Sequence, residues 1–432
     1  MKLPSPAELA AQAADARART LTLIEGLDDV QLMGPRLAIV NPLRWEIGHA
    51  AYFHELWVLR RHLGEAPGRR DVDRLYDSIT IAHDDRWDLP LPSLPETLAY
   101  MDGVLERERA HLASDPPDAR RDYLVQYAVF HEDMHTEAFT YTRQTLAYPA
   151  PAIGVARDSA WEAGPLAGDA AIPGGVFELG ARAGDGFCFD NEKWAHRVVV
   201  APFRIARAAV SNAEYAAFVD DGGYRRRELW EDEGWRWREG AGLEQPVYWR
   251  PGAAGWELRR FDRWGPLPPH TALIHVSWHE ARAYCRWAGR RLPTELEWEV
   301  AAAGEATADG ATLAPRKRRY PWGDTAPTTR HANLDGRALG TIDVGALPAG
   351  DSAFGCRQMI GNAWEWTDTV FAPYPGFTAD MYQDYSQPLF GTTRVLRGGC
   401  WATRGRLIRN TWRNYYGPDR NDVFAGFRTC AP

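Results

Sequence analysis

Residues 123–144 read YLVQYAVFHEDMHTEAFTYTRQ, and the spacing inside them decides the first half of the fold. His131 and His135 stand four apart, so a helix puts them on one face, one turn above the other. Leu124, Tyr127, Ala128, Ala138 and Thr142 continue the same stripe, which turns that face toward a core. Two imidazoles on a core face need partners. A divalent metal supplies one for both; a pair of hydrogen-bonded core histidines is the plainer alternative.

His49 favours the metal. It lies in NPLRWEIGHAAYFHELW (41–57), where Asn41 is the expected N-cap and Pro42 suits the first helical turn. Trp45, Gly48, His49, Tyr52 and Phe53 share one side of that helix. A bundle that sets it beside the first helix offers three neutral nitrogens and leaves positions open on the metal for substrate and oxygen. His54 is about 140° further round the helix and reads as a surface residue or a neighbour of the ligands. Ligand type alone does not choose among zinc, iron and copper. HEDMH also spells HExxH, the zinc-hydrolase signature with Glu132 as general base. That reading lacks a third ligand downstream and leaves the second half of the chain unexplained.

Outward from these stretches, residues 5–145 read as helical. Breaks at Asn41-Pro42, Gly64–Gly68, Pro90–Pro95 and Pro116-Pro117 leave four segments for an antiparallel bundle. Residues 146–176, rich in Pro, Gly and Ala without amphipathic period, look like a linker. Short apolar alternations then lie between stretches dense in Gly, Pro, Trp and Arg. One helix stands out, Trp278–Ala303, opened by Ser277 and interrupted at Gly289–Pro293. Of 19 tryptophans, only Trp45, Trp57 and Trp87 precede residue 150, so the second half reads as ordered loops packed by large rings.

The 432 residues allow two or three domains, and 45% apolar with 25% charged side chains is the balance of a globular protein. A net charge of -8 argues against a nucleic-acid partner. No run of about 18 apolar residues predicts a membrane span. The N-terminus lacks the apolar core of a secretory signal, and the five scattered cysteines form no framework, so a reducing cytoplasm is expected.

RLPTELEWEVAAAG (291–304), YPWGD (320–324), GNAWEWTDT (361–369), RVLRGGCW (394–401) and AGFR (425–428) resemble the formylglycine-generating-enzyme/sulfatase-modifying-factor family. That implies a C-type-lectin-like domain with little regular structure. The copper-binding cysteine pair of true formylglycine-generating enzymes falls where this chain has TWRNYYGPDR (411–420), without cysteine, so the likeness is to the fold. The first half is similar to DinB-type bundles, whose metal histidines come one from an early helix and two from a later HxxxH, as His49, His131 and His135 do. The fold class implied is α+β, with a DinB-like bundle over 1–150, a linker over 151–172 and the second domain over 173–432.

The two together resemble the ergothioneine sulfoxide synthases, non-haem Fe(II) enzymes that use O2 to join a sulfur donor to C2 of the imidazole of hercynine. The resemblance implies that Asn414 and Tyr415 line the hercynine pocket, since a quaternary ammonium favours aromatic and amide walls. It also implies a tyrosine as proton donor, for which Tyr374, Tyr382 and Tyr385 are the candidates, the last two first. Departures fall on the donor side. The arginine-rich stretch that holds the carboxylates of γ-glutamylcysteine corresponds to YDSITIAHDDRWDLPLPSLPE (76–96). Only Arg86 remains there, among Asp84, Asp85 and Asp88. Tyr416 replaces the aspartate after the Asn-aromatic pair, and Met134 stands where the family often has Gln. An acidic, arginine-poor pocket suits a neutral polyhydroxylated donor. This pattern resembles the selenoneine synthases, which couple hercynine to a selenosugar. Ergothioneine-type synthesis from cysteine or γ-glutamylcysteine is the alternative; an HExxH zinc hydrolase or a non-catalytic metal-bound scaffold is more remote.

Overall fold

Ser5 and Glu8 form a reciprocal capping box that opens α1 (Pro6–Ile24). In the computed structural model, which describes residues 4–156 and 158–432, the short α2 (Asp29–Met33) follows. Next comes α3 (Leu43–His54), which runs on through a π-helical turn over Glu55–Arg60. The short α4 (Val72–Tyr76) leads to α5 (Leu94–Ser114), boxed by Ser93 and Glu96, and α6 (Ala119–Thr145), capped by Asp118. Each such cap is worth about 1 kcal/mol. α1 packs on α5 and α6, and so does α3, around a core that includes Leu43, Trp45, Ile47, Tyr52, Tyr76, Met101 and Phe139.

Two local expectations are corrected. Pro42, not Asn41, takes the N-cap position of α3, without a side-chain cap. Asn41 instead accepts a hydrogen bond from Arg86 Nη1 at 2.6 Å. His54 is buried rather than superficial, its Nδ1 2.9 Å from Glu108.

The second unit comprises residues 154–183 and 188–432, while Gly184–Phe187 belongs with the bundle. Phe187 there packs its ring edge-on to Phe130 at 4.9 Å and along Tyr123 at 5.2 Å. In the second unit β1 (Asp169–Ile172) and β4 (Phe203–Ala206) pair antiparallel, as do β2 (Gly175–Leu179) and β3 (His196–Val200). Helices α7 (Asn212–Asp220) and α8 (Asp232–Gly240) precede a meander of β5 (Trp249–Gly252), β6 (Gly255–Arg260) and β7 (Arg263–Pro266). The long helical stretch forms as α9 (Trp278–Trp287), boxed by Ser277 and Glu280, and α10 (Glu295–Ala303). β8 (Trp364–Val370), β9 (Arg394–Arg397), β10 (Asn414–Tyr416) and β11 (Ala425–Gly426) make the four-stranded sheet in the order β10-β9-β8-β11, with β11 parallel to β8. The stretch that reads as a linker thus contains β1, and its Gly164 N–H donates to Asp343 at 2.8 Å.

The tryptophan-rich blocks are the packing of this unit. Trp298, Trp364, Trp366 and Trp401 are buried, and two of them find acceptors for their indole N–H. Trp298 Nε1 donates to Glu365 at 2.7 Å and Trp366 Nε1 to the Val276 carbonyl at 2.8 Å. At Gly398, φ is +100° and a Cβ would stand 2.6 Å from the Met359 carbonyl, so RVLRGGCW can turn there only with glycine. Buried Arg397 reaches both Glu295 and Glu299, and Arg413 also holds Glu295, which ties α10 to β9 and to the residue before β10.

Candidate metal centre

α3 and α6 bring His49, His131 and His135 together, with one ring nitrogen of each inside a span of 4.8 Å. The His131 and His135 Nε2 atoms face each other at 3.3 Å. Their centroids lie 4.5 Å apart, and each is 5.1 Å from that of His49. Outer hydrogen bonds set the tautomers. The Tyr76 carbonyl can only accept, so His49 Nδ1, 2.8 Å away, carries the proton and Nε2 keeps its lone pair. His135 Nδ1 likewise donates to Glu46 Oε1 at 2.6 Å.

Aromatic faces fix two of the rings. Trp45 stacks on His49 at 4.8 Å with an interplanar angle of 8°, and Phe53 on His131 at 3.8 Å and 12°. Gly48 is what lets Tyr76 lie against α3, because a Cβ at that position would fall 2.3 Å from the Tyr76 ring. Burial, and then the neighbouring His135 imidazole, push the pKa of His49 down to about 3, while the hydrogen bond to Tyr76 works the other way. His131 is lowered by the same two causes in the same order. Both imidazoles are therefore neutral at physiological pH, the form that binds a metal. Three imidazole nitrogens, two of them on rings whose outer hydrogen is held in place, fit a divalent transition metal and leave coordination positions for other ligands.

The Glu of HExxH is committed elsewhere. Glu132 is buried, 3.0 Å from Arg17 Nε, and accepts from the Thr20 hydroxyl at 2.8 Å; His54 Nε2 lies 3.4 Å away. Burial opposes the charge of Glu132, but Arg17 and His54 outweigh it and hold the carboxyl well below its usual range. As an ion-paired carboxylate one residue round the helix from His131, it is not poised to serve as a base at the three histidines.

Other predicted residues fall into separate places. Arg86 lies 4.0 Å over the Trp45 ring, on a short turn over His83–Trp87, and its charge adds to the lowering at His49. Asp85 is exposed on that turn, Asp84 pairs with His83 and Asp88 with Arg36. Met134 is half-buried beside His135. In the second unit Asn414, Tyr415 and Tyr416 form β10, paired with β9. Asn414 Oδ1 accepts from the Tyr415 N–H at 2.8 Å, the Tyr415 ring stacks on Phe371 at 4.0 Å, and Arg420 covers Tyr416 at 5.3 Å. Tyr385 comes within 5.9 Å of Tyr415, centroid to centroid, and burial pushes its hydroxyl pKa up. Tyr382 opens the turn that carries Tyr385. Tyr374 is set apart from them, buried and donating to Glu295 at 3.2 Å beneath Arg413.

Sequence reasoning missed Glu46 and Tyr76. A carboxylate three residues before a ligand, on a stripe otherwise apolar, was the available signal for Glu46. The Tyr76 contribution is a backbone carbonyl and leaves no trace in residue type.

Known proteins are similar to this chain over much of its length. Residues 12–139 match the DinB superfamily and residues 159–431 the sulfatase-modifying factor enzyme 1-like domain. Hercynine oxygenase of Mycolicibacterium thermoresistibile is 41% identical over 99% of this chain and 95% of its own length. That of Mycobacterium tuberculosis is 41% identical over 99% of both. Formylglycine-generating enzyme of Streptomyces coelicolor is 33% identical over 66% of this chain and 96% of its own. The chain therefore belongs to the hercynine oxygenase family, and in it a DinB-superfamily segment precedes a sulfatase-modifying factor enzyme 1-like domain.

Proposed function

We propose that the chain is a non-haem Fe(II), O2-dependent synthase that forms a carbon–selenium bond between C2 of the hercynine imidazole and a selenosugar, giving selenoneine. Membership of the hercynine oxygenase family supports hercynine and O2 as substrates. The three imidazoles would hold the iron, which when bound supplies the oxygen chemistry that no side chain can. The chain's own part is to keep His49 and His135 in the Nδ1–H tautomer, through Tyr76 and Glu46, and to shield His49 and His131 with Trp45 and Phe53.

The observation that carries the choice of donor is the state of Arg86. It is the sole arginine of residues 76–96, and its guanidinium is engaged by Asn41 and Trp45. The carboxylates around it, Asp84, Asp85 and Asp88, are exposed. A dicarboxylate thiol meets no paired guanidinium there, whereas hydroxyls of a sugar meet acceptors. On the hercynine side, Asn414 spends its Oδ1 on the neighbouring N–H and keeps its NH2 as a donor, and the Tyr415 ring offers a face for a quaternary ammonium. Tyr382 and Tyr385 are the proposed proton donors; Tyr374 already gives its proton to Glu295.

Competition between donors tests the reading. Iron-loaded protein given hercynine and O2 with equal selenosugar and γ-glutamylcysteine is expected to yield the carbon–selenium product in excess. Turnover with γ-glutamylcysteine or cysteine, and none with the selenosugar, would overturn it in favour of ergothioneine-type synthesis.

A further inference from the structure

Glu46 lies one helical turn before His49 on α3 and is 2% exposed. Its Oε1 accepts from His135 Nδ1 at 2.6 Å. Its Oε2 is buried and meets no hydrogen-bond donor among the described residues. The imidazole of His135 is also its one ion-pair partner among them. Three other buried carboxylates of the bundle are treated differently. Glu132 is 3.0 Å from Arg17, Glu55 2.7 Å from Arg107, and Glu108 2.9 Å from His54, whose pKa is raised to about 9 because the attraction of Glu108 and Glu132 outweighs burial. Each of those carboxylates faces a cation. Glu46 faces an imidazole that must be neutral at its other nitrogen to bind metal.

We propose that Glu46 is a positioning and charge-compensating residue for the metal: the divalent cation held by three neutral imidazoles is its missing counter-charge, felt through His135. The inference rests on the metal reading above. A buried carboxylate without a cation is unfavourable, and the same carboxylate beside a dication is favourable. Hydrogen bonding to a charged acceptor also raises the basicity of the ligating imidazole. The role thus has a signature that a merely structural carboxylate lacks, because removing the charge acts on the affinity and the potential of the bound metal.

Glu46→Gln keeps the size and an acceptor for His135 and deletes the charge. The expected result is an iron(II) affinity, measured by chelator competition, that falls by about tenfold to a hundredfold. The reduction potential of the bound iron is expected to rise, since the negative charge that stabilises the oxidised state is gone. Glu46→Asp retains the charge and is expected to bind iron more tightly than the Gln variant. Wild-type affinity and potential in Glu46→Gln would overturn the proposal, and so would a Glu46→Asp variant that binds iron no more tightly than the Gln variant. If wild-type protein bound no stoichiometric iron, the metal reading itself would fail, an outcome separate from these. No readout here depends on turnover.

Discussion

Replacing Gly48 by alanine tests how the outer hydrogen bonds control the metal. A Cβ at that position would lie 2.3 Å from Cε1 and Cζ of Tyr76 and 2.7 Å from its hydroxyl oxygen, against 3.4 Å for ordinary contact. The ring must therefore retreat by about 1 Å, and it is fully buried, stacked on Tyr100 at 6.0 Å. A movement of that size, passed to the backbone, would stretch the 2.8 Å bond from His49 Nδ1 to the Tyr76 carbonyl beyond hydrogen-bonding range. Loss of such a bond weakens metal binding by about tenfold to a hundredfold. Stability changes less, because overpacking costs about 1–3 kcal/mol while alanine regains about 1 kcal/mol of helix propensity over glycine. Isothermal titration with iron(II) under argon, beside thermal melting of the metal-free protein, separates the two effects. Trimming the ring by Tyr76→Leu in the Gly48→Ala background leaves the carbonyl in place, and is expected to restore affinity to that of Tyr76→Leu alone. Unchanged affinity in Gly48→Ala would refute the reasoning.

Arg17→Met leaves Glu132 buried with only His54 for a charge partner, and urea unfolding is expected to show a loss of about 3–5 kcal/mol. In the second unit, burial is the main cause that raises the pKa of Glu280 from 4.5 to about 7, against hydrogen bonds from Ser277 and Tyr224. A raised folded-state pKa favours the native state below pH 4.5, and that advantage is lost as pH climbs through 7. The loss should amount to about 3 kcal/mol at 1.36 kcal/mol per unit, and Glu280→Gln should abolish the slope in pH-dependent melting. Tyr374→Phe removes one donor from a Glu295 still held by Arg397 and Arg413, so about 1 kcal/mol of stability should go while turnover persists. Tyr385→Phe should instead keep stability and lower turnover by about a hundredfold or more, the scale of lost general-acid help; equal kinetics in the two variants would remove the proton-donor assignment.

The parts of the centre that were legible are those written in periodic side chains. His131 and His135 carry the i, i+4 spacing, and His49 sits on a helix with a buried aromatic stripe. What orients them was not legible, because a carbonyl 27 residues away in sequence from His49 has no residue code. Asn41 looked like a cap because Asn-Pro commonly precedes a helix, but Arg86 claims its side chain. His54 looked superficial because its angle on α3 points away from His49, yet α5 and α6 cover that side with Glu108 and Glu132. In the second unit the WEW and RGG blocks marked the packing, while β10 and Arg413 before it, which holds Glu295 of α10, stood inside text that read only as loops. Short strands held by irregular contacts have too few residues to display a period.

The central claim is that iron on the three histidines drives an O2-dependent reaction of hercynine. Oxygen uptake by iron(II)-loaded protein, recorded with a selenosugar present and hercynine then added, tests it most directly. The account predicts uptake that begins with hercynine, accompanies formation of the carbon–selenium product, and vanishes in zinc-loaded protein and in His49→Ala, His131→Ala and His135→Ala. Product formed by the zinc-loaded protein or by any of those variants, or iron-loaded protein that consumes no oxygen when hercynine is supplied, would contradict it.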